Sequence, residues 1–388
     1  MDPGADSLSS PEEDGALSLT LWVAWASVAF LAYTYFGYPA LLVLLARRWP
    51  WRPEPDARWE PTVSICVAAY NCEPYIDAKL GSLAALDYPA EKMEILVYSD
   101  GCTDGTDGVV SGWSERDARV RLLRCEVRKG KPTGLNRMRE EALGEVLVIT
   151  DARQLVDRGS LRALLRLLSA PGVGCVTGNL VLEGAAGSGM YWRYENWIRK
   201  QESRLGSVTG MTGPLSALRK IDLGLLPTDL ILDDLWIPMQ LRLRRLRVLL
   251  AEDAIARDRA FSDEREFSRK VRTLAGNYQL FWWMPRLLLP VVNPSWFETI
   301  SHKVARLICP WLLVTLPVVC VLGTATGQPG HRVGALLGAQ IAFYVAALFG
   351  SRVGRAGSLA RTFVVLNAAA VAGLWRFITG TQRVTWKT

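Results

Sequence analysis

Three stretches of this chain, residues 15–46, 307–330 and 333–351, contain no charged residue. A helix that crosses a bilayer needs roughly 20 apolar residues, and each stretch is long enough. A chain that must place them in lipid cannot fold as one water-soluble globule. A fourth uncharged stretch, 362–375, is short for a crossing and suits a re-entrant or interfacial segment. Arg47, Arg48 and Arg52 follow the first stretch, and Arg352, Arg355 and Arg361 follow the third. Basic flanks favour the cytoplasmic side, which predicts a multi-pass protein of the inner or plasma membrane with the region between the first two spans in the cytoplasm. If 362–375 also crossed, Arg376, Arg383 and Lys387 would lie outside, against that tendency. Residues 281–294, apolar with Trp282, Trp283 and three prolines, suit the membrane interface.

The expected layout follows. Residues 1–16, acidic and rich in Ser, Pro and Gly, read as disordered, and no basic segment makes them a signal peptide. Residues 17–46 form a span and 47–61 a proline-rich linker. Residues 62–265 form a cytoplasmic catalytic domain, 266–303 interfacial amphipathic helices, and 304–388 a second membrane region with two spans and a third left open.

Within the middle region, strand-like and helix-like runs alternate. Strands are expected at 63–68, 94–98, 120–123, 146–151, 173–181 and 248–250. Helices are expected at 75–86, 106–113, 132–142, 161–168, 190–205 and 235–246, with a flexible Gly-rich loop at 206–214. Alternation of this kind implies βαβ units and a mostly parallel α/β sheet. The net charge of +7 comes from arginines that are scattered or flank apolar runs. They suit anionic lipid headgroups rather than nucleic acid. The seven cysteines follow neither metal-ligand nor disulfide spacing, as expected of a domain facing a reducing cytosol.

The chemistry concentrates at strand ends. The run Val146–Asp151 stops abruptly on a carboxylate, and ligands of open α/β sheets sit outside the carboxyl ends of the strands. Ala69, Tyr70 and Asn71 follow the first strand, and Asp100 ends the second, before a turn rich in Gly, Asp and Thr. Such a carboxylate can accept hydrogen bonds from a ribose or base, although a polar turn that caps a helix reads the same way. Lys129 and Lys131 flank Gly130 ahead of a helix, where cations and the helix N-terminus together favour a diphosphate, although a solvated basic loop reads the same way. Asp151, facing such a diphosphate, suits a divalent metal bound through oxygen ligands, or else caps the helix after it. Asp233 and Asp234 stand together in an apolar run. One can serve as a general base, or both can serve the first turn of a helix. Arg269 and Arg272, at i and i+3, share a helix face that can clamp phosphates or anchor to a membrane surface.

Together and in this order, these segments resemble family 2 glycosyltransferases, in particular the membrane-integrated branch of cellulose, chitin and hyaluronan synthases. The resemblance implies a GT-A fold, Rossmann-like, and inverting transfer of a sugar from a nucleotide-sugar donor, most often UDP-linked. It implies that Ala69, Tyr70, Asn71 and Asp100 hold the nucleoside, and that the Gly-Lys segment with Lys129 and Lys131 serves the diphosphate; the phosphate clamp of Arg269 and Arg272 rests on their shared helix face. It further implies that Asp151 takes Mg²⁺ or Mn²⁺, that Asp233 and Asp234 carry the base, assigned to Asp234, and that Met211, Thr212 and Gly213 belong to the loop near the acceptor. The acceptor would be a polysaccharide or a lipid-linked sugar at the bilayer, with an export partner or a second copy as companions. Two departures stand out. Arg153 replaces the second acid of Asp-x-Asp, and only Arg272 matches the Gln-x-x-Arg-Trp motif of processive synthases. Single-sugar transfer to a polyprenyl phosphate or glycolipid, and a catalytically silent scaffold of an export complex, are the alternatives.

Overall fold

A computed structural model describes residues 11–183, 188–259, 263–325 and 330–385. The chain divides into two compact units, Met1–Ala40 with Ser301–Val371, and Leu41–Ile300 with Ala372–Thr388.

The first unit is helical. Helix α1 (Pro11–Ala32) runs through a π-helical turn, Tyr33–Gly37, into α2 (Tyr38–Arg48). Residues 11–16 are therefore the start of a helix rather than irregular chain; residues 1–10 lie outside the described residues. Ala24 on α1 packs with Leu316, Cys320 and Val333, and the Tyr33 and Ser301 hydroxyls share a hydrogen bond of 2.7 Å. Three segments, Leu21–Arg48, Trp296–Ala325 and Val333–Ile378, are long and apolar enough to cross a membrane. Their outer faces carry bare apolar side chains such as Trp22, Phe36 and Leu348, the pattern of helices meant for lipid. The short uncharged stretch 362–375 lies inside a 25-residue helix, Gly354–Ile378.

The second unit is built on one eight-stranded sheet ordered β3-β2-β1-β4-β7-β6-β8-β5. Its strands are β1 (Val63–Ala69), β2 (Met93–Asp100), β3 (Val120–Cys125), β4 (Val146–Asp151), β5 (Leu155–Val156), β6 (Val173–Glu183), β7 (Ser216–Arg219) and β8 (Arg247–Arg259). Strands β1 to β4 are mutually parallel, as expected. The other half is mixed, because β7 runs antiparallel to both β4 and β6, and β5 antiparallel to β8. Strand β7 is four residues long and follows a Gly/Pro loop, so it carries no readable alternation. The expected strand at 248–250 is the start of the thirteen-residue β8.

Alternate residues of β4 serve opposite faces. Val146 and Val148 join one core with Ile76, Leu80 and Leu164, while Leu147 and Ile149 join another with Leu135, Met138 and Ile237. Burial on both faces is why the strand is a continuous apolar run. The helices that cover the sheet are α3 (Glu73–Ala84), α4 (Thr106–Arg116), α5 (Lys131–Glu141), α6 (Ser160–Leu168), α7 (Ser188–Leu205) and α8 (Asp233–Leu243), and α9 (Asp263–Trp283) packs on α8. Helix α9 ends before Pro285, which opens a 3₁₀ turn, Pro285–Leu288. All seven cysteines are free.

Candidate active site

Parallel pairing in register brings three strand ends to one edge. Ala68 pairs with Asp151 and Ala69 with Ser99, so Ala69–Asn71, Asp100 and Asp151 all emerge there. Lys131, the first residue of α5, lies nearly buried between two acids. Its Nζ donates to Asp151 Oδ1 at 2.9 Å and stands 3.1 Å from Asp233 Oδ2. Gly130 before it has φ +92°, and a Cβ there would come within 3.2 Å of Val384 Cγ1. Gly213 also sits close: a Cβ there would lie 3.2 Å from Asp151 Oδ2, so a larger residue would crowd the carboxylate.

Asp233 and Asp234 open α8, where the helix N-terminus favours negative charge. The catalytic and capping readings of this pair are therefore compatible. The Asp234 carboxyl is pushed up to about 6, by burial first and by the like charge of Asp233 second, against the pull of Lys131 and Arg272. Asp151 goes the other way. Burial alone would raise it, but the charge and hydrogen bond of Lys131, with Lys79 and Arg272 behind, hold it below the usual carboxylate range. Burial opposes the charge on Lys131, yet Asp151 and Asp233 outweigh it, and its pKa is raised. Two carboxyl groups in one site are thus driven apart, which is the arrangement of acid–base chemistry.

Arg272 on α9 donates to the carbonyls of Ile231 (2.8 Å) and Val384 (3.4 Å). Gln279, two turns further on the same helix face, binds the Ile231 N–H (2.8 Å) and the Asp229 carbonyl (3.0 Å). Helix α9 thereby clasps the segment leading into Asp233. Arg269 is placed differently, half exposed beside Glu266 at 3.5 Å. The 206–214 segment is irregular as expected, but it is well tied down. The Met211 N–H donates to the Asp234 carbonyl (2.9 Å), and Thr212 is buried against Thr177 (2.8 Å). Met211 and Thr212 thus shape the loop, and Gly213 is the member that reaches Asp151.

Asp100 is fully buried and accepts from the backbone N–H groups of Lys129 (2.7 Å) and Gly130 (3.1 and 2.9 Å). It organises the Lys129–Lys131 loop; the Lys129 side chain itself is exposed. Next to it, the Arg128 guanidinium stacks 3.4 Å from the Tyr70 ring centroid. Asn71 takes a left-handed conformation (φ +45°) and exchanges hydrogen bonds with Thr103 at 2.8 and 3.1 Å. These groups gather beside the carboxyl ends of β1 and β2.

The donor set for a metal is thin. Among the described residues, no group of three or more His, Cys, Asp or Glu is arranged around a common ion position. Arg153, where a second acid was expected, pairs with Asp258 at the end of β8, and Gln154 donates to the same oxygen at 2.7 Å. Asp151, about one-third exposed, can supply one carboxylate. That fits Mg²⁺ or Mn²⁺ that takes its other ligands from a diphosphate and water. Sequence reasoning missed Lys79, Gln279, Asp258 and Val384. Lys79 carried a signal, as a lone cation among Ile76, Leu80 and Leu83 on the buried face of α3.

Residues 64–223 match the family model described as Glycosyl transferase family 2. A β-monoglucosyldiacylglycerol synthase of Nostoc sp. is 27% identical over 210 residues, 51% of this chain and 44% of that protein. A poly-β-1,6-N-acetyl-D-glucosamine synthase of Staphylococcus aureus is 25% identical over 196 residues, 48% of this chain and 47% of that one. The chain thus spans about half the length of the curated relatives it matches. Among solved structures, a mannosyltransferase of Pyrobaculum calidifontis in complex with GDP-Man and Mn²⁺ superposes with a TM-score of 0.74. It is 27% identical, over 92% of this chain and 99% of that one. The fold is of the GT-A type.

Proposed function

We propose that this chain, which carries a glycosyl transferase family 2 domain, is a membrane-bound inverting glycosyltransferase. It moves a sugar from a nucleotide-sugar to a polysaccharide or lipid-linked acceptor, in the synthesis of an exported or envelope glycan. The observation that carries this reading is the Lys131 ammonium between Asp151 and Asp233, beside an Asp234 whose carboxyl is raised toward neutrality.

Each residue then has a task. The Tyr70–Asn71 turn and the Asp100 loop receive the nucleoside. Lys131 and Arg272 face the leaving diphosphate and offset the negative charge that develops on it. Asp151 would hold a divalent cation, which supplies further charge neutralisation when bound. Asp234, ionised, takes the proton from the acceptor hydroxyl as that oxygen attacks the anomeric carbon from the face opposite the diphosphate. Gly213 lets the acceptor loop come close to Asp151 and Lys131. The apolar helices keep this domain at the cytoplasmic face of the inner or plasma membrane, where a lipid-linked acceptor is within reach.

Likeness along nearly the whole chain to a protein solved with GDP-Man puts GDP-linked donors beside the UDP-linked ones. The lone Arg272 in place of a full Gln-x-x-Arg-Trp motif favours transfer of one sugar over polymerisation. The test is release of nucleoside diphosphate by the detergent-purified protein from a panel of UDP- and GDP-sugars with Mg²⁺ or Mn²⁺. Metal-dependent release from one donor, lost in Asp151→Ala, is expected, and product sizing then separates single transfer from a polymer. No release from any donor in the presence of membrane lipids would overturn the reading.

A further inference from the structure

The chain between α2 and β1 is a strap rather than a free tether. The Trp51 N–H donates to the Arg204 carbonyl near the end of α7 (2.8 Å), and the Arg247 guanidinium stacks 4.7 Å from the Trp51 ring centroid. Further on, the Asp56 N–H donates to Ser169 Oγ (2.8 Å). Between strap and domain lies a cavity of about 150 Å³. Trp51 and Pro53 of the strap line it together with Leu167 of α6 and Leu249 and Leu250 of β8. None of these side chains belongs to the transferase site.

The polar groups of the cavity are unequally satisfied. Lys200 pairs with Glu252, and Ser203 Oγ accepts from the Leu250 N–H (2.9 Å). Arg204 also lines the cavity and is exposed, and its guanidinium meets no ion-pair or hydrogen-bond partner among the described residues. An apolar cavity with one uncompensated guanidinium suits an amphiphile with an anionic head.

Lipid is close at hand. Trp51 stands three residues past Arg48, so it lies within about 11 Å of the end of α2. Residues 41–48 of that helix share the compact unit of the cavity and close the apolar segment Leu21–Arg48. Their Leu41 and Leu44 are bare. From residue 47 to residue 54, Arg47, Arg48 and Arg52 stand against one acid, Glu54. Basic residues just outside a span attract anionic lipid, and Trp favours the interface. The strap also touches the loop that reaches Asp151. Arg247 donates to the carbonyl of Gly206, which opens that loop, at 3.2 Å. A Cβ on Gly206 would stand 3.3 Å from Trp51 Cβ.

We propose that this cavity is a regulatory site for an acidic phospholipid: part of an acyl chain lies against Trp51, Leu249 and Leu250, the phosphate pairs with Arg204, and the bound lipid clamps the strap and the Gly206 end of the loop onto the catalytic domain. The proposal rests on the reading of Leu21–Arg48 as a membrane span.

The test uses the full chain in phosphatidylcholine vesicles with increasing phosphatidylglycerol, as wild type, Arg204→Gln and Leu250→Phe. The first variant removes the free charge, and the second fills the cavity. A photoactivatable phosphatidylglycerol, with the labelled peptides mapped by mass spectrometry, reads occupancy whether or not the donor sugar is known; diphosphate release reads the consequence. Wild type is expected to be labelled on the strap and on the end of α7, and to release diphosphate faster as phosphatidylglycerol rises, to a plateau. Arg204→Gln is expected to need about fivefold more phosphatidylglycerol for half-maximal labelling, the worth of one basic residue at a membrane surface. Leu250→Phe is expected to lose the labelling, and both variants to match wild type in pure phosphatidylcholine. Labelling in both variants equal to that of wild type, or none on the strap of wild type, overturns the proposal and leaves the transferase reading intact. Release of the protein from membranes by alkaline carbonate overturns the span and the proposal together.

Discussion

Replacing Lys131 with methionine probes the centre of the site. The ammonium serves Asp151 at 2.9 Å and Asp233 at 3.1 Å, with Asp234 beside them. Methionine keeps much of the volume and leaves three acids without their shared cation. Removing one partner of a buried ion pair costs about 3–5 kcal/mol. The Asp151 side chain is 37% exposed, so water screens its share, whereas Asp233 is 8% exposed and carries most of the cost. We expect about 2–3 kcal/mol of lost stability after that discount. The kinetic effect is separate, since a fixed donor aimed at developing negative charge is worth about 10²–10³ in rate. Diphosphate release should fall by that factor, with Lys131→Arg intermediate because it restores charge in a different shape. Without the ammonium, a divalent cation is the remaining counter-charge, so Mn²⁺ should raise the thermal midpoint of Lys131→Met more than that of wild type. A variant that keeps a third or more of wild-type release, with equal Mn²⁺ shifts in both proteins, would refute the assignment of Lys131 to the diphosphate.

Other perturbations separate the remaining roles. Asp234→Asn should lower transfer at least a hundredfold, the scale of general-base loss, while donor binding measured by calorimetry stays near wild type; unchanged turnover would sink the base assignment. The Asp234 carboxyl must be ionised to accept a proton, so the rate should fall as pH drops through about 6. Asp233→Asn removes a like charge and should move that limb to lower pH; a limb that moves upward would count against the coupling of the two acids. Asp100→Ala leaves the Lys129 and Gly130 N–H groups without their acceptor, at about 1–3 kcal/mol for buried unsatisfied donors, and should raise KM for the donor about tenfold in the same release assay; an unchanged KM would mean the loop is held by other contacts. A chelator should abolish release and Mn²⁺ restore it, whereas chelator-resistant turnover would remove Asp151 as a metal ligand.

What could be read in the sequence divides by the range of the interaction. The parallel strands β1 to β4 and the helices between them are local patterns, apolar runs and 3.6-residue periodicity, so they were legible before any contact was known. Strand β7 was not, because four residues after a loop acquire strand identity only by pairing with β4 on one side and β6 on the other. The candidate site divides in the same way. Asp100, Asp151, Asp233 and Asp234 were visible because carboxylates at the ends of apolar runs are conspicuous. Their separate tasks were not, since Asp100 spends its oxygens on the backbone of residues 129 and 130, a contact nearly thirty positions away.

Arg153 shows how a departure from a motif is misread when taken alone. In sequence it is only a missing acid beside Asp151. In the fold it is neutralised by Asp258, 105 positions later, so the turn does not present an uncompensated cation to the site. The charge that acts on Asp151 comes instead chiefly from Lys131, 2.9 Å away, with Lys79 a lesser contributor whose amine burial pushes down to about 7. Neither motif nor spacing could assign that, because a lysine at the third position of an apolar helix face is equally compatible with a snorkelling surface residue. Only the closure of α3 over β4 excludes water from it, and that closure both pushes its amine down to about 7 and commits it to Thr150 and the Gln154 carbonyl, on either side of Asp151.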